Sequence, residues 1–251
     1  MPQRSRAPRE PARLTPSPAL SRLALSRMAD AAVEAVDCIQ ALHQAGSNLV
    51  LEALRGAEFA EWEHYPPDDV IDPISHAQYY FHAHAPDDRE RPDYGHFHTF
   101  MRPMGMPAGV RPAGLAGGPP PAPAEEGALS HLVAVSMTPS GMPERLFTTN
   151  RWVTAETWYS AADVVAMLDG FVIDVDQPSR LLNRWLSATF VLFRPQIERL
   201  LIARDRVVED WRLRHFDGDV FEDRGLQITS SIDISLSRQI EWVNSELESR
   251  G

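Results

Sequence analysis

His76-Ala77-Gln78-Tyr79-Tyr80-Phe81-His82-Ala83-His84 and Gly95-His96-Phe97-His98-Thr99-Phe100 carry five of the chain's nine histidines. Both stretches are rich in aromatic residues, and each contains a His-x-His pair. In a β-strand alternate side chains share a face, so Gln78, Tyr80, His82 and His84 project together, as do His96, His98 and Phe100. A hairpin closing across Ala85 to Gly95 is predicted, in a register that pairs His82 with His98 and His84 with His96. That register sets Tyr80 opposite Phe100. Opposed side chains in such a ladder have Cβ atoms about 4.5 to 5.5 Å apart. Imidazole nitrogens hold zinc at about 2.0 to 2.1 Å, so three or four of these rings reach one ion. A polar surface strand, or one buried ring with a hydrogen bond, accounts for a lone histidine but poorly for two His-x-His pairs. Crowded imidazolium rings repel one another, whereas a metal selects the neutral rings.

Further ligands are sought nearby. His131 opens an expected strand, His131 to Met137, whose alternate residues Val133, Val135 and Met137 are apolar, so its ring is expected on the core side as a reserve ligand. His76 and His64 are weaker reserves, while His43 and His215 fall in helical stretches where packing and capping explain them. Glu63, Asp72 and Glu90 are the candidate carboxylates, and Met104 and Met106 the candidate sulfur ligands. Cys38 is the single cysteine, which excludes an internal disulfide, a thiolate cage and an iron–sulfur cluster. Imidazole suits zinc, copper, iron and nickel alike. Four neutral rings with an open side favour copper, and three rings with a carboxylate favour iron(II) or manganese. Copper and iron rank together, ahead of zinc.

Around this centre the pattern is α+β: a small antiparallel sheet carrying the histidine cluster, packed against N- and C-terminal helices. Apolar residues recur at helical spacing from Ala19 to about Leu54, giving one or two helices. Short β-type runs follow at Gln78–His84, Gly95–Arg102, His131–Met137, Arg145–Thr149 and Phe171–Val175. Ser160 and Asp163 form a capping pair, and Gly170 is placed to end that helix. Asp176 to about His215 is helical but interrupted by Pro195, hence two helices. A strand near Leu226–Ile232 and a helix with the stripe Leu236, Ile240, Val243 and Leu247 close the chain. Residues 1–18 are Pro-, Arg- and Ser-rich and are expected to be a disordered tail; residues 19–251 form one domain with a Pro/Gly-rich insertion at 103–127.

Composition narrows the function. The 251 residues are enough to bury a substantial core, and 35 acidic against 24 basic residues give a net charge of −11, which repels phosphate backbones. No nucleic-acid partner is expected. No run of about 18 apolar residues occurs, so no membrane span is expected, and without a signal-peptide pattern the cytoplasm is the default. Gly-rich phosphate loops, a Gly-x-Ser-x-Gly elbow and a His-Glu-x-x-His helix are missing.

His-x-His followed by an acidic residue is similar to the first motif of cupins, a β-barrel superfamily of metal enzymes. Here Glu90 follows His84 at a longer interval, and no second motif appears around His131. The strings around His82 and His96, together with Asn150-Arg151-Trp152-Val153, resemble an uncharacterised bacterial His-rich family known as a domain of unknown function. That resemblance covers most of the body and implies no activity. From the residues, the expectation is a metal-dependent oxidoreductase with a mononuclear copper or iron site held by His82, His84, His96, His98 and His131. Tyr80, Gln78 and Arg151 are its candidate catalytic residues, the last as an anion anchor, acting on a small polar substrate or dioxygen. A non-catalytic metal carrier or sensor and a zinc-dependent hydrolase are the alternatives, and oligomeric state is left open.

Overall fold

A computed structural model describes residues 20–84, 93–113, 129–215 and 218–250. The expected tail at 1–18, Glu90 and much of the 103–127 insertion lie outside them. The described order begins with α1 (Arg22–Gln44) and α2 (Leu49–Leu54), followed by β1 (Tyr65–Ile71), β2 (Ala77–His82), β3 (Gly95–Met101), β4 (Ser130–Met137) and β5 (Pro143–Thr149). It ends with α3 (Arg151–Thr154), α4 (Ala161–Met167), α5 (Arg180–Leu192), α6 (Arg194–Arg214), β6 (Ile228–Asp233) and α7 (Leu236–Glu248). Among the described residues no helix is long and apolar enough to cross a membrane.

Local chemistry sets these boundaries. Ser21 caps α1 by accepting the Ala24 N–H, and Asn48 caps α2 by accepting from Val50 and Leu51. Between them Gly46 turns the chain at φ +72, so the N-terminal helical stretch is two helices. Pro195 sits in the first turn of α6, where a missing N–H breaks no helical bond, and it divides α5 from α6 as its position implied.

The fold is α+β. The strands form one six-stranded antiparallel meander in the order β1-β2-β3-β4-β5-β6. One face belongs to the main core: Tyr79, Phe81, Phe97, Met101, Val135 and Leu146 cluster with Leu25 and Ala35 of α1 and with Trp185 and Leu186 of α5. N-terminal α1 packs on α5 and on C-terminal α7, while α6 lies on β5 and β6. The register puts Gln78, Tyr80 and His82 opposite Phe100, His98 and His96, and sets Ala134 and Ser136 opposite His98 and His96. This second face, which also carries Phe147, is the one that holds the histidines.

Four expectations are corrected. The hairpin pairs His82 with His96 and Tyr80 with His98, two residues from the expected register, so Tyr80 lies opposite His98 rather than Phe100. Gly95 explains this: at φ +155 it abuts the Phe81 ring and the His82 carbonyl, and any Cβ would collide with both. Only glycine fits there, which fixes the hairpin end at His82. Second, Phe171–Val175 is no strand. Two of its donors go to side chains, Ile173 N–H to Ser187 Oγ at 2.9 Å and Asp174 N–H to Asp72 Oδ2 at 2.7 Å, and Phe171 stacks on Phe190 at 3.8 Å between ring centroids. Third, the sheet holds a strand absent from the expected runs: β1 opens on Tyr65-Pro66-Pro67 at the sheet edge, where absent N–H groups interrupt no inner ladder.

The fourth concerns His131. Simple alternation sends its ring to the core with Val133 and Val135. The register instead steps from His98↔Ala134 to Phe100↔His131, so Leu132 and Val133 together oppose Thr99. This β-bulge, held by Thr99 Oγ1 donating to the Val133 carbonyl at 2.5 Å, turns His131 onto the histidine face.

Asp72 fastens the end of β1 to the segment before α5. Its carboxylate accepts N–H bonds from Ile74, Ser75 and Asp174 at 2.7 to 2.9 Å. Burial pushes this carboxyl upward, but the backbone donors of Ser75, Asp174 and Ile74 hold it below the ordinary carboxylate range. Asp72→Ala is expected to cost about 2 to 3 kcal/mol by leaving these donors unpaired. Chemical denaturation checks it; a loss below about 0.5 kcal/mol would mean that water replaces the carboxylate.

Candidate metal centre

His82 from β2 and His96 and His98 from β3 each offer a ring nitrogen, all within 4.8 Å of one another. Among the described residues they are the one group of three potential ligands arranged in this way. All three are buried, at 8%, 6% and 1% exposure. His82 Nε2 lies 2.9 Å from His96 Nε2 and 3.3 Å from His84 Nε2. Ligand nitrogens bound at about 2.0 to 2.1 Å around a tetrahedral ion stand roughly this far apart.

Two outer partners orient the rings. The Asp93 carboxylate lies 3.2 Å from His96 Nδ1, accepts from Ser136 Oγ at 2.9 Å and stands 3.6 Å from the Arg145 guanidinium. With its Nδ1 proton engaged there, His96 directs an Nε2 lone pair inward, the usual arrangement behind a metal-bound histidine. His98 Nδ1 faces His131 Nε2 at 3.0 Å, which leaves the His98 Nε2 for the cluster. His131 therefore stands behind His98 as a partner and outside the group of three.

Burial sets the charge state. It pushes the His82 imidazolium down to about 2, helped by His96, His84 and His64. Burial also takes His98 far below its ordinary value, with His96 and His131 adding to it. For His131 burial, followed by the charge of Arg204, lowers the value to about 3. These rings are neutral at physiological pH, so their lone pairs are free to bind a cation.

His84 lies just past β2, its ring under the indole of Trp62 at 4.2 Å between centroids. Tyr80 is sandwiched between the ring of His64, at 3.6 Å and 10°, and that of Phe100, at 5.6 Å. It stands 5.3 Å from both His82 and His98. The Tyr80 hydroxyl, on a residue 7% exposed, has no hydrogen-bond partner among the described residues.

Other candidates are differently employed. Gln78 donates to Asp69 Oδ2 at 2.6 Å and accepts from Arg102 at 2.8 Å, so its amide is committed to the sheet rim. Arg151 is held by Asp219 and Glu222, both at 2.8 Å, and lies over Phe221, which leaves it out of the cluster. Asp72 is the clamp described above, and Glu63 is exposed. Met104 is 77% exposed and Met106 packs against the core. His76 occupies the β1–β2 turn at φ +57, while His215 stacks on Trp211 at 4.3 Å.

Sequence reasoning missed Asp93, Asp69 and Glu156. Asp93 had a signal, being three residues before His96; the others had none, since folding alone brings Glu156 Oε2 to the His131 N–H at 2.8 Å.

A family model matches residues 29–234, described as Domain of unknown function (DUF6969). The chain belongs to that family. No curated protein and no solved structure matches it. The likeness of the His82–Glu90 stretch to the cupin motif is not carried by the family match, which covers the described sheet and both histidine hairpin strands.

Glu156 makes the region pH-sensitive. Burial pushes its carboxyl up to about 8 from 4.5, against the opposing charge of Arg204. The folded chain thus keeps a proton that the unfolded chain releases, so the stability this group gives is full below about pH 4.5 and is lost as pH rises through about 8. Glu156→Gln keeps an acceptor for His131 without the ionisation. Its melting temperature is expected to gain on that of the unmodified chain across this interval, and a pH-independent difference would show that Glu156 ionises freely in the fold.

Proposed function

We propose that the protein is a metal-dependent oxidoreductase, with a mononuclear copper or iron ion held by His82, His96 and His98 and a small polar substrate or dioxygen beside it. The observation that carries this reading is the convergence of three buried ring nitrogens within 4.8 Å. No carboxylate belongs to that group among the described residues, and a nitrogen set suits copper or iron, with zinc after them. The bound metal would supply one-electron chemistry.

The protein's own residues give the rest. Asp93 and His131 fix His96 and His98 from behind, His84 lies beside His82 as a fourth imidazole, and Trp62 covers it. Tyr80, wedged between His64 and Phe100 with its hydroxyl unspent, is placed to donate to or accept from a substrate. Burial and the Asp69 charge raise the Tyr80 phenol above its ordinary range, so it acts as a neutral hydroxyl.

A phenol beside His82 and His98 whose hydroxyl has no partner among the described residues favours an enzyme over a carrier, which has no use for a donor there. The zinc hydrolase reading calls on a carboxylate such as Glu63 to move the proton of bound water, and Glu63 is exposed. Asp93 and Asp69 are instead bonded to His96 and His64. A cytoplasmic place of action belongs to the same reading, supported by a composition without disulfide-forming cysteines.

Protein purified without an affinity tag is expected to retain one transition-metal ion per chain by elemental analysis, and His82→Ala with His96→Ala to lose it. Undiminished metal in the double variant would dismiss the site. Tyr80→Phe should keep the metal but lower turnover by about 10²-fold or more in an oxygen-consumption screen of small alcohols, aldehydes and carboxylic acids. A metal-loaded chain inert toward the whole panel would leave the carrier as the better reading.

A further inference from the structure

The three potential ligands are buried, and a cation has to reach them from outside. His64 is where the cluster meets solvent. Its side chain is 40% exposed, while His82, His84, His96, His98 and His131 are each at most 8% exposed. Its ring meets that of His82 edge-to-face at 5.9 Å between centroids.

The electronic state of His64 suits a cation. Asp69 Oδ1 stands 2.9 Å from His64 Nδ1, and a carboxylate only accepts, so Nδ1 carries the proton and Nε2 keeps its lone pair. Asp93 imposes the same state on His96. Asp69 is presented in an uncommon way. The β1–β2 register jumps from Tyr65↔Phe81 to Val70↔Tyr79, and within that bulge Asp69 adopts φ +54, a left-handed conformation that few residues other than glycine, asparagine and aspartate enter. Gln78, backed by Arg102, grips its other oxygen.

The approach is acidic. Glu58, Glu61, Glu63 and Asp68 surround His64 in sequence, are exposed, and form no ion pair among the described residues. Trp62 N–H donates to the Ala83 carbonyl at 2.9 Å and the Tyr65 hydroxyl accepts from Ala60 N–H at 2.6 Å, which ties this segment down beside the cluster.

We propose that His64, held by Asp69, is the loading station of the metal centre: an incoming transition-metal cation binds His64 Nε2 first and is then handed to His82. This rests on the metal-site reading above. His64 is absent from the group of three nitrogens, so it lowers the barrier to binding without adding to the final coordination. Such a residue speeds uptake and release by the same factor and leaves affinity untouched, which separates it from a ligand.

The experiment mixes metal-free protein with copper(II) in a stopped-flow instrument and follows quenching of tryptophan emission, for which Trp62 on His84 is a built-in reporter. Release is measured by competition with a chromogenic chelator. His64→Phe keeps a flat ring against Tyr80 and removes the nitrogens. Uptake and release are both expected to slow by about tenfold, with the dissociation constant within about threefold of the original. Unchanged rates overturn the proposal. Faster release with weaker affinity also overturns it, by making His64 a ligand. If His64→Phe does not fold by circular dichroism, His64→Gln is judged on the same two rates. Failure of the unmodified chain to bind copper(II), iron(II) or zinc would instead remove the metal-site reading itself, and the loading station with it.

Discussion

His82 Nε2 has two imidazole nitrogens against it, at 2.9 and 3.3 Å, in a place from which water is nearly excluded. A neutral imidazole carries one proton and one lone pair. With its Nδ1 proton engaged by Asp93, His96 presents a lone pair to His82, and a single His82 proton cannot serve both neighbours. Charging the rings is no remedy, because burial and mutual repulsion drive His82 and His98 far toward the neutral form. One of the two contacts is therefore left without its own proton in a low-dielectric pocket, which is costly unless something positive sits there. On the proposed reading a transition-metal ion would satisfy all three nitrogens at once, and the cluster would serve as a ligand set rather than as a hydrogen-bonded core.

The sheet makes this tolerable by dividing its labour. One face is an apolar surface packed with α1 and α5, where Tyr79, Phe81, Phe97 and Val135 meet Leu25, Trp185 and Leu186. Burial of that face supplies the stability against which the strained second face is held. Because every strand is pinned from behind, the opposite side chains have little freedom to relax apart. Paired strands also fix His82 against His96 and Tyr80 against His98 with no loop intervening, and sites built on such elements are more rigid than sites built on loops.

What the sequence disclosed follows from which interactions are local. Strand alternation put Tyr80, His82, His96 and His98 on one face, and Pro195 and the Ser160–Asp163 capping pair marked helix ends. Register was not legible, because it depends on Gly95 meeting the Phe81 ring across the hairpin, a fact about packing. Nor was the orientation of His131: alternation is a reliable guide only until a bulge intervenes, and the bulge at Leu132–Val133 is secured by a threonine on the neighbouring strand. β1 was hidden because two prolines resemble a break, although at a sheet edge their missing donors have no partner to lose. Arg151 looked like an anion anchor only because Asp219 and Glu222, its partners, lie about 70 residues further along the chain.

The edge position of β1 bears on chemistry as well as on folding. An inner strand must keep its ladder, so it cannot turn one residue to φ +54 without losing bonds on two sides. An edge strand has only one neighbour, and β1 gives up pairing between Tyr65 and Val70 to hold Asp69 in that conformation. The freed backbone aims one carboxylate oxygen at His64 and the other at Gln78, which links three strands through Arg102. The inner strands thus carry the fixed geometry of the histidine cluster, and the irregular edge carries the polar groups that face solvent. On the proposed reading this separation would let the rim exchange partners with water, ions or substrate while the buried nitrogens stay in place, a condition that any site open to small molecules and built from neutral histidines has to meet.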